Sequence, residues 1–351
     1  MVTKSTTVKQ YRCKKCNAPY PLGADDVIAT CPYCGYTFEV DGGEITHLIV
    51  PNKFTEKSVI TAVKKWLEFA AAKTVGRGVI KDIEIEHPIL QWIPTFQLKG
   101  TCESYHFGYK KKGSGSDTKY IRIEDSDTSE IIEWVIARRH AATFGIYEFI
   151  LSLEDSKTKD FEIGMTNDSP VLNSEITDMD VQRRAEKNRK DRERKTLLGQ
   201  VDKLLDHRLN ITPDSTIYTH APYWLVRYSY QKGTFRVAVS GATGEILVGE
   251  LPVTKWYRIK KWFSSIFLLI GAGLLFQVLP YIVIALAQGN SSDGDIWAIP
   301  IAMFFIAGVM WIGSIAVIRG ALLYEIEVDK DGKERKDQFS LSGALKRLGG
   351  D

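Results

Sequence analysis

Four cysteines near the start of the chain place the tightest constraint on its fold. Cys13, Cys16, Cys31 and Cys34 follow the spacing C-x2-C-x14-C-x2-C. Each C-x2-C pair forms a tight turn that directs two thiolates at one point, and two such turns make the tetrahedral cage that zinc accepts. The spacing therefore predicts a structural site for one Zn²⁺ per chain. Iron, which the same four-thiolate cage can hold, is the alternative metal.

The sequence around the cysteines favours a small, metal-dependent module. The flanks TVKQYR and GYTFEV are typical of short strands, and Gly35 can adopt the backbone geometry that lets amides approach the sulfurs. The stretch resembles the zinc ribbon family, so we expect residues 1–45 to form a zinc ribbon, with metal binding worth about 10–16 kcal/mol of folding free energy in comparable peptides. Since all four ligands come from the protein, the site leaves no position for a reactive water.

The remaining cysteine and the first residues indicate the compartment. Cys102, in KGTCESY, is most simply a small residue of a strand. Cysteines arranged for a metal are typical of a reducing compartment rather than of a disulfide framework. The opening MVTKSTTVKQYRCKKC has no apolar stretch of the kind found in a cleavable signal peptide. We therefore expect the N-terminal part in the cytosol.

Two apolar runs near the other end, residues 263–288 and 296–323, predict a membrane anchor. Each exceeds the ~20 residues that a helix needs to cross a bilayer core. The joining sequence GNSSDGD has two aspartates and no lysine or arginine, so the positive-inside rule places it outside and both termini in the cytosol. We expect residues 256–325 to form a transmembrane helical hairpin, with buried helices of a soluble core as the alternative. The amide of Gln277 is expected to bond to the neighbouring helix.

A cluster of basic and aromatic residues before the first run is typical of a membrane interface. Its members are Lys255, Trp256, Arg258, Lys260, Lys261 and Trp262. Membrane lipid is therefore one expected partner of the chain.

Residues 46–255 predict a soluble, antiparallel α+β platform made of two consecutive units. The first, 46–155, begins with the amphipathic helix TEKSVITAVKKWLEFAA and continues with the strands IKDIEIEH, LQWIPTFQLKGT, KYIRIED and EIIEWVIAR, the last two separated by a turn at DSDTS. The second, 156–255, begins with one long polar helix, DMDVQRRAEKNRKDRERKTLLGQVDKLLDHRL, and continues with STIYTHAPYWLVRYSY, GTFRVAVSG and GEILVGEL. A faint tandem repeat aligns Pro94 with Pro222, each expected at a strand start or a bulge. Residues 326–351 are expected to be a cytosolic tail.

The polar helix carries a dense run of positive charge although the chain as a whole is only +3. Its basic residues are Arg183, Arg184, Lys187, Arg189, Lys190, Arg192, Arg194 and Lys195, against three acidic residues. Such a run is typical of a solvated helix with i,i+4 ion pairs. The alternatives are a contact with anionic lipid, where each base contributes about 1 kcal/mol near a membrane surface, or with nucleic acid. The run has no interleaved aromatic residues for base stacking, which disfavours nucleic acid.

Catalytic motifs are missing from the sequence. It contains no P-loop, no GxGxxG between a strand and a helix, no HExxH and no GxSxG. The histidines form no i,i+4 pair, and each is interpreted as a surface residue or a hydrogen-bonded core residue. An enzyme whose site is assembled from distant residues remains an alternative.

The sequence also resembles two known families. The stretch YWLVRYSYQKGTFRVAVSGATGEILVGE resembles a PepSY-type hairpin, with Thr243, Gly244 and Glu245 matching its turn and Ser240 and Gly241 in place of an Asp and an Ala. The order of ribbon, IVPNKFTEKSVITAVKKWL, WIPTFQLKG, PYWLVRY and terminal apolar runs resembles a group of prokaryotic membrane-anchored zinc-ribbon proteins. This second resemblance implies a membrane anchor and supplies no catalytic residues.

Together these features predict a membrane-anchored cytosolic adaptor or scaffold that mediates protein interactions at the membrane surface without catalysis. Tethering raises the effective concentration of the ribbon for partners at that surface. Aromatic residues of the ribbon, such as Tyr20, Tyr33 or Tyr36, are the expected anchors for a protein partner, because aromatic residues buried in an interface dominate its binding energy. The first alternative is a membrane-tethered nucleic-acid-binding protein that uses the ribbon and the basic helix.

Overall fold

The structure, a computed structural model, describes residues 9–40, 42–43, 45–113, 117–139, 144–231, 233–288 and 298–335. These residues confirm a chain of mixed α and β content with a large, mainly antiparallel sheet. The strands are β1 (Lys9–Arg12), β2 (Pro19–Leu22), β3 (Ile28–Thr30), β4 (Thr37–Glu39), β5 (His47–Ile49), β6 (Ile83–Ile85), β7 (Ile89–Lys112), β8 (Lys119–Ile136), β9 (Lys159–Asp160), β10 (Lys203–Tyr230), β11 (Gly233–Ser240), β12 (Ile246–Pro252) and β13 (Glu325–Asp329). The helices are α1 (Glu56–Lys73), α2 (Ile146–Ser152), α3 (Asp178–Leu197), α4 (Lys255–Gln288) and α5 (Ala298–Leu322), with short 3-10 helices at Arg77–Asp82 and Ile163–Thr166.

The chain divides into two units, which do not follow the order of the sequence. Unit 1 comprises Met1–Ile60, Pro88–Val226 and Ala238–Leu247. Unit 2 comprises Thr61–His87, Arg227–Val237 and Val248–Asp351.

Unit 1 begins with two small antiparallel hairpins, β1–β2 and β3–β4. Aromatic side chains pack between them: the rings of Tyr11 and Phe38 stack with centroids 5.0 Å apart, and Tyr20 meets Tyr11 edge to face at 5.7 Å. The ribbon therefore has a small apolar core of its own beside the cysteines, which adds to the stabilisation that a metal provides.

The main sheet of unit 1 has the order β8-β7-β10-β5-β9. β7 pairs antiparallel with β8 on one side and with β10 on the other, so the two stretches of the predicted repeat are neighbours in one sheet. β8 is continuous, and the predicted turn at DSDTS is wrong. Ser126 and Thr128 lie opposite Tyr105 and Glu103 of β7, so this polar stretch is held in the ladder by its partner strand.

The two prolines of the predicted repeat lie inside paired strands, not at strand starts or bulges. Pro94 lies opposite His220, and Pro222 lies opposite Trp92. Each proline still uses its carbonyl oxygen as an acceptor, from the Ala137 N–H at 2.8 Å and the Gly241 N–H at 2.9 Å. The ladder thus tolerates the missing amide hydrogen at both positions.

α3 ends at Leu197, so the prediction of one polar helix through residue 209 is wrong. Lys203 and Leu209 instead belong to β10 and lie opposite Tyr109 and Ser104 of β7. Backbone pairing with β7 outweighs the helical spacing of the leucines in this stretch. The two strands approach each other closely at Gly108. A Cβ there would lie 2.6 Å from the Lys203 carbonyl oxygen, so the position accommodates only glycine.

In unit 2, β6 pairs with the end of β10, and β13 pairs antiparallel with β12. The residues after α5 that were expected to start a tail therefore add a strand to the sheet. α1 packs on this sheet: the Trp66 indole covers Gly249, whose Cβ would lie 2.1 Å from the ring, and donates to the Asp329 carbonyl at 3.1 Å.

The helices α4 and α5 are strongly apolar. One helix, Lys255–Leu286, is long and apolar enough to cross a membrane, and α5 contributes the shorter apolar stretch Ile299–Ile315. The two helices run antiparallel and touch at Ser265 and Ser314, whose buried hydroxyls lie 2.7 Å apart. Gln277 is exposed, so the prediction that its amide joins the helices is wrong, and the serine pair takes that place.

Candidate metal centre

The four predicted ligands converge at one point. The Sγ atoms of Cys13, Cys16, Cys31 and Cys34 all lie within 4.8 Å of one another. Cys13 Sγ lies 3.6 Å from Cys34 Sγ, and Cys16 Sγ lies 3.7 Å from Cys31 Sγ. Sulfurs bound at ~2.3 Å to a tetrahedral zinc ion are separated by roughly 3.8 Å. The residues therefore fit a four-thiolate metal ion, as the spacing predicts.

Two turns with the same backbone pattern position the sulfurs. Asn17 N–H donates to the Cys13 carbonyl at 2.8 Å, and Gly35 N–H donates to the Cys31 carbonyl at 2.9 Å. Both residues after the second cysteine have positive φ, 58° for Asn17 and 73° for Gly35. Sequence analysis identified Gly35 but missed Asn17, although Asn is the residue that best replaces Gly in this conformation.

The thiols differ in their electrostatic environment. Burial raises the pKa of Cys31, and it raises the pKa of Cys34 to about 12. Burial also acts on Cys13, but N–H groups of Cys16 and Lys15 oppose it and leave its pKa at about 7. A divalent cation would favour the thiolate form at all four sulfurs, because it supplies the positive charge that burial otherwise denies them.

The two turns differ in their contacts. Residues 14–16 of the first turn are exposed, and so are Pro32 and Tyr33 of the second. In the second turn, however, a Cβ on Gly35 would lie 3.3 Å from both Phe161 and Ile163, so this turn packs against the segment around β9.

The β3–β4 hairpin is bonded to the rest of unit 1. Ile28 pairs with Ser174 as a β-bridge, and the Thr30 N–H donates to Asn173 Oδ1 at 3.1 Å. The hairpin is therefore hydrogen-bonded to the segment that contains Asn173 and Ser174.

A chain of hydrogen bonds leads from this hairpin into the sheet. His220 Nε2 lies 2.7 Å from the Leu172 carbonyl, and its Nδ1 lies 2.6 Å from His47 Nε2. Since a carbonyl only accepts, neutral His220 donates there and accepts from His47. His47 Nδ1 then accepts from the Thr37 hydroxyl at 2.7 Å, and Thr37 lies 3.0 Å from the Thr30 hydroxyl. Burial lowers the pKa of both histidines, to about 4 for His220, which keeps the pair neutral.

The predicted partner anchors of the ribbon have different surroundings. Tyr20 is 5% exposed and belongs to the ribbon core, so its assignment as an anchor is wrong. Tyr36 is half-buried and stacks on Phe38 at 5.8 Å. Tyr33 is 65% exposed and is the one of the three that faces solvent.

The basic run of α3 divides into an inner and an outer set. Arg189 and Arg192 pair with Glu133 of β8, which is 2% exposed, and Arg184 donates to the carbonyls of Ile136 and Arg138. These arginines attach the helix to the sheet, so the run is not one solvated face. Lys195 lies over the Tyr147 ring at 5.4 Å.

The outer set forms one stripe on the opposite side of α3. Its members, here called the outer basic stripe, are Arg183, Lys187, Lys190 and Arg194. Their spacing of four, three and four residues places them on one helical face, and all are exposed. Within the described part of the chain, none of the four forms an ion pair.

The predicted interface residues occupy the first two turns of α4. Trp256 is 70% exposed and Trp262 is 45% exposed. Arg258 donates to the Leu323 carbonyl at 3.2 Å, and Lys261 lies over the Tyr257 ring at 5.1 Å. Lys255 and Lys260 are exposed.

One further sequence interpretation is confirmed, and one turn of the PepSY-like stretch has a conformation that favours glycine. Cys102 is a buried residue of β7, 1% exposed. Gly244 has φ of +76°, and a Cβ there would lie 2.4 Å from the Phe54 ring.

Sequence analysis missed the His47–His220 pair and the role of Glu133. The two histidines are far apart in the chain, and no local spacing relates them. The sequence gives one signal for Glu133: it is an acidic residue flanked by apolar residues in a strand, which indicates a buried carboxylate with a partner.

Comparisons with known proteins give no further identification. No family model matches this chain, and searches among curated proteins and solved structures find no match either.

Proposed function

We propose that this chain is a membrane-anchored zinc-ribbon adaptor without catalytic activity, which presents the exposed Tyr33 of the second cysteine turn to a protein partner. The observation that carries the proposal is the closed set of four cysteine ligands on a ribbon bonded to a larger sheet. A closed site with four protein ligands stabilises a local fold and offers no position for a substrate. Zinc is the proposed metal and iron the alternative.

The proposed membrane anchor has two spans. One is Lys255–Leu286, which is long and apolar enough to cross a bilayer, and the other is α5. α5 packs antiparallel on α4, and both helices have exposed apolar outer faces. We propose that both cross the bilayer, with the connection between them outside and both termini in the cytosol. The support is the basic and aromatic residues at the start of α4, which match a cytosolic interface.

The outer basic stripe supports a contact with an anionic surface. Four exposed bases on one helical face attract negative charge without needing any rearrangement of the inner arginines. We commit to anionic lipid as the partner of this stripe, since a membrane-anchored chain meets lipid at high local concentration. Nucleic acid is the competing outcome, and it would show a steep loss of affinity with salt.

The enzyme alternative would need a cavity lined by titratable residues. One cavity of about 460 Å³ in unit 1 is lined by His106, Asp125 and Glu193, among others. Glu193 there already accepts from Arg189 at 3.0 Å and lies 3.2 Å from His207. These partners favour a structural role for the cluster.

The adaptor proposal is tested with a photo-crosslinking residue placed at Tyr33 in the full chain, in intact cells. Tyr120, which is 63% exposed against 65% for Tyr33, is the matched control position outside the ribbon. We expect a protein adduct of discrete mass from Tyr33 and none of that mass from Tyr120. The Tyr33 adduct should decrease in Cys31→Ser, because this variant removes a metal ligand from the turn that carries Tyr33.

Metal analysis of the same preparations completes the test. Wild-type protein should contain one zinc per chain, and Cys13→Ser or Cys31→Ser should contain none. Identical adducts from both crosslinking positions, or a Tyr33 adduct whose yield is unchanged by the loss of zinc, would contradict the adaptor proposal. A red, iron-containing preparation from zinc-replete cells would contradict the metal.

A further inference from the structure

A cavity of about 630 Å³ lies in unit 2 where the apolar helices begin and end. Its wall includes Lys255, Trp256 and Arg258 from the first turn of α4 and Tyr324, two residues after α5. Tyr230 and Phe235 add two further aromatic rings to the lining. Its volume is within the range of about 300–1,000 Å³ that is typical of small-molecule sites.

The charge of the cavity is positive. Among the described residues that line it, there are two cations, Lys255 and Arg258, and no aspartate or glutamate. Neither cation has a carboxylate within ion-pair distance in the described ranges. The buried Nε of Arg258 also finds no acceptor there, although the guanidinium donates to Leu323. A buried donor without an acceptor costs free energy, so an anion with oxygen acceptors would be favoured at this position.

A glycine forms part of the cavity wall. Gly78 lines the cavity, and a Cβ added there would meet no heavy atom within 4 Å. The glycine therefore leaves space that a larger residue would fill.

The position of the cavity defines the ligand class. If α4 and α5 cross the bilayer, as proposed above, the residues at their near ends lie at the depth of the lipid headgroups. Tryptophan and tyrosine side chains are enriched at this depth, and a guanidinium together with an ammonium matches a phosphate group. The lining is both aromatic and cationic, as an amphipathic ligand with a phosphate requires.

We propose that this cavity binds the phosphate-containing headgroup of an anionic phospholipid, with Arg258 and Lys255 contacting the phosphate and Trp256, Tyr230 and Tyr324 surrounding the glycerol region. The inference rests on the proposed membrane anchorage of the helices and adds a specific lipid site to it. A free phosphate shares the same chemistry, and the experiment separates the two sources.

The test uses the full chain in detergent micelles, with binding of phosphatidylglycerol and of phosphatidylcholine measured by native mass spectrometry. We expect wild type to bind one phosphatidylglycerol at least tenfold more tightly than phosphatidylcholine. Lys255→Glu should weaken phosphatidylglycerol binding by roughly tenfold or more, the ordinary effect of losing a charge-assisted contact. Lys260→Glu, an equal change of charge on an exposed residue of α4 outside the cavity lining, should leave binding unchanged.

A second pair of variants tests the space rather than the charge. Gly78→Phe should fill the cavity and abolish the preference for phosphatidylglycerol. Gly164→Phe is its control, because Gly164 also lies in a short 3-10 helix with open space around it and is outside the cavity. Equal thermal stability of the four variants shows that binding, not folding, has changed.

Several outcomes would overturn the inference. These are equal affinity for the two lipids, equal losses in Lys255→Glu and Lys260→Glu, or retained preference in Gly78→Phe. Displacement of phosphatidylglycerol by equimolar inorganic phosphate would assign the cavity to a soluble anion instead. Carbonate washing of membranes tests the anchor separately: a wild-type chain that stays in the membrane but has no lipid preference refutes this site alone.

Discussion

One buried carboxylate of β8 binds two arginines of α3, and this makes Arg192→Met an informative perturbation. Glu133 is 2% exposed and accepts from Arg192 and, at 3.2 Å, from Arg189. Removing Arg192 leaves Glu133 buried with fewer donors. Removing one partner of a buried ion pair typically costs about 3–5 kcal/mol.

The local geometry reduces that cost. Arg192 is 21% exposed, so part of its attraction to Glu133 is screened by solvent, and Arg189 still reaches the same carboxylate. We therefore expect Arg192→Met to destabilise unit 1 by about 2–3 kcal/mol. Arg194→Met is the matched control, because it is the same change two residues along the helix at an exposed position, where about 0.5 kcal/mol or less is expected. Arginine and methionine have similar helix propensities, so propensity does not separate the two variants.

Thermal unfolding of the full chain, followed by tryptophan fluorescence, measures the difference. At roughly 2–4 °C per kcal/mol for a unit of this size, Arg192→Met should lower the Tm by about 4–12 °C. Glu133→Gln in the same background should recover part of this loss, since it removes the buried charge. Equal Tm values for Arg192→Met and Arg194→Met, or an additive loss with Glu133→Gln, would refute the ion-pair argument.

Four further predictions concern the metal site, the membrane topology, the basic stripe and the buried histidines. Gly35→Ala places a side chain at positive φ and close to Phe161 and Ile163, which costs about 1–2 kcal/mol. It should weaken zinc binding roughly five- to thirtyfold in a chelator competition, and unchanged affinity would contradict the role of this turn. An impermeant thiol reagent should label Ser291→Cys and spare Ser5→Cys in intact cells, both positions lying outside the described residues, and the reverse pattern would contradict the topology. Reversing the outer basic stripe to glutamate should reduce binding of anionic vesicles and leave the Tm within about 3 °C of wild type, whereas nanomolar, stripe-dependent binding of nucleic acid at physiological salt would favour the alternative function. Because the pKa of His220 is lowered to about 4, the folded state disfavours its protonation. The free energy of unfolding should therefore fall as the pH drops from about 6.5 towards 4, by up to about 1.4 kcal/mol per pH unit. The dependence of this free energy on pH should be weaker in His220→Gln.

Local chemistry made some features predictable from the sequence. The four cysteines carry their spacing in short segments, so their convergence followed from turn geometry alone. The apolar character of α4 and the buried position of Cys102 also depend on composition within a few residues. In each case the information lies in neighbouring residues, where periodicity and residue type are reliable guides.

Features set by long-range pairing were not predictable in this way. The stretch after Leu197 has helical spacing of leucines, yet its backbone pairs with β7 and becomes a strand. DSDTS has the composition of a turn, yet it is held between two long flanking strand segments opposite β7. Tertiary pairing overrides local preference in both cases, since a strand's stability depends on its neighbours more than on its own residues.

The basic run illustrates how the same residues change meaning once their partners are known. By composition, its eight bases form one charged surface. In the structure, Arg184, Arg189 and Arg192 are used for attaching α3 to the sheet, and the outer basic stripe is what remains for a partner. A test that reversed both sets together would confuse unfolding with loss of binding, so only the outer stripe can report on function.

The two cysteine turns of the ribbon differ in their contacts with the rest of unit 1, so the loss of metal should affect them differently. The second cysteine turn packs on Phe161 and Ile163, and its hairpin continues through Thr37 into the neutral His47–His220 pair. Each group in that chain donates in one direction and accepts from the other, so shifting the hairpin would leave buried polar atoms without partners. Both turns have exposed residues between their cysteines. The first turn is held by the metal and by the stacking of Tyr11 on Phe38, whereas the second has in addition its contacts with Phe161 and Ile163. Loss of metal should therefore release the first turn much more than the second.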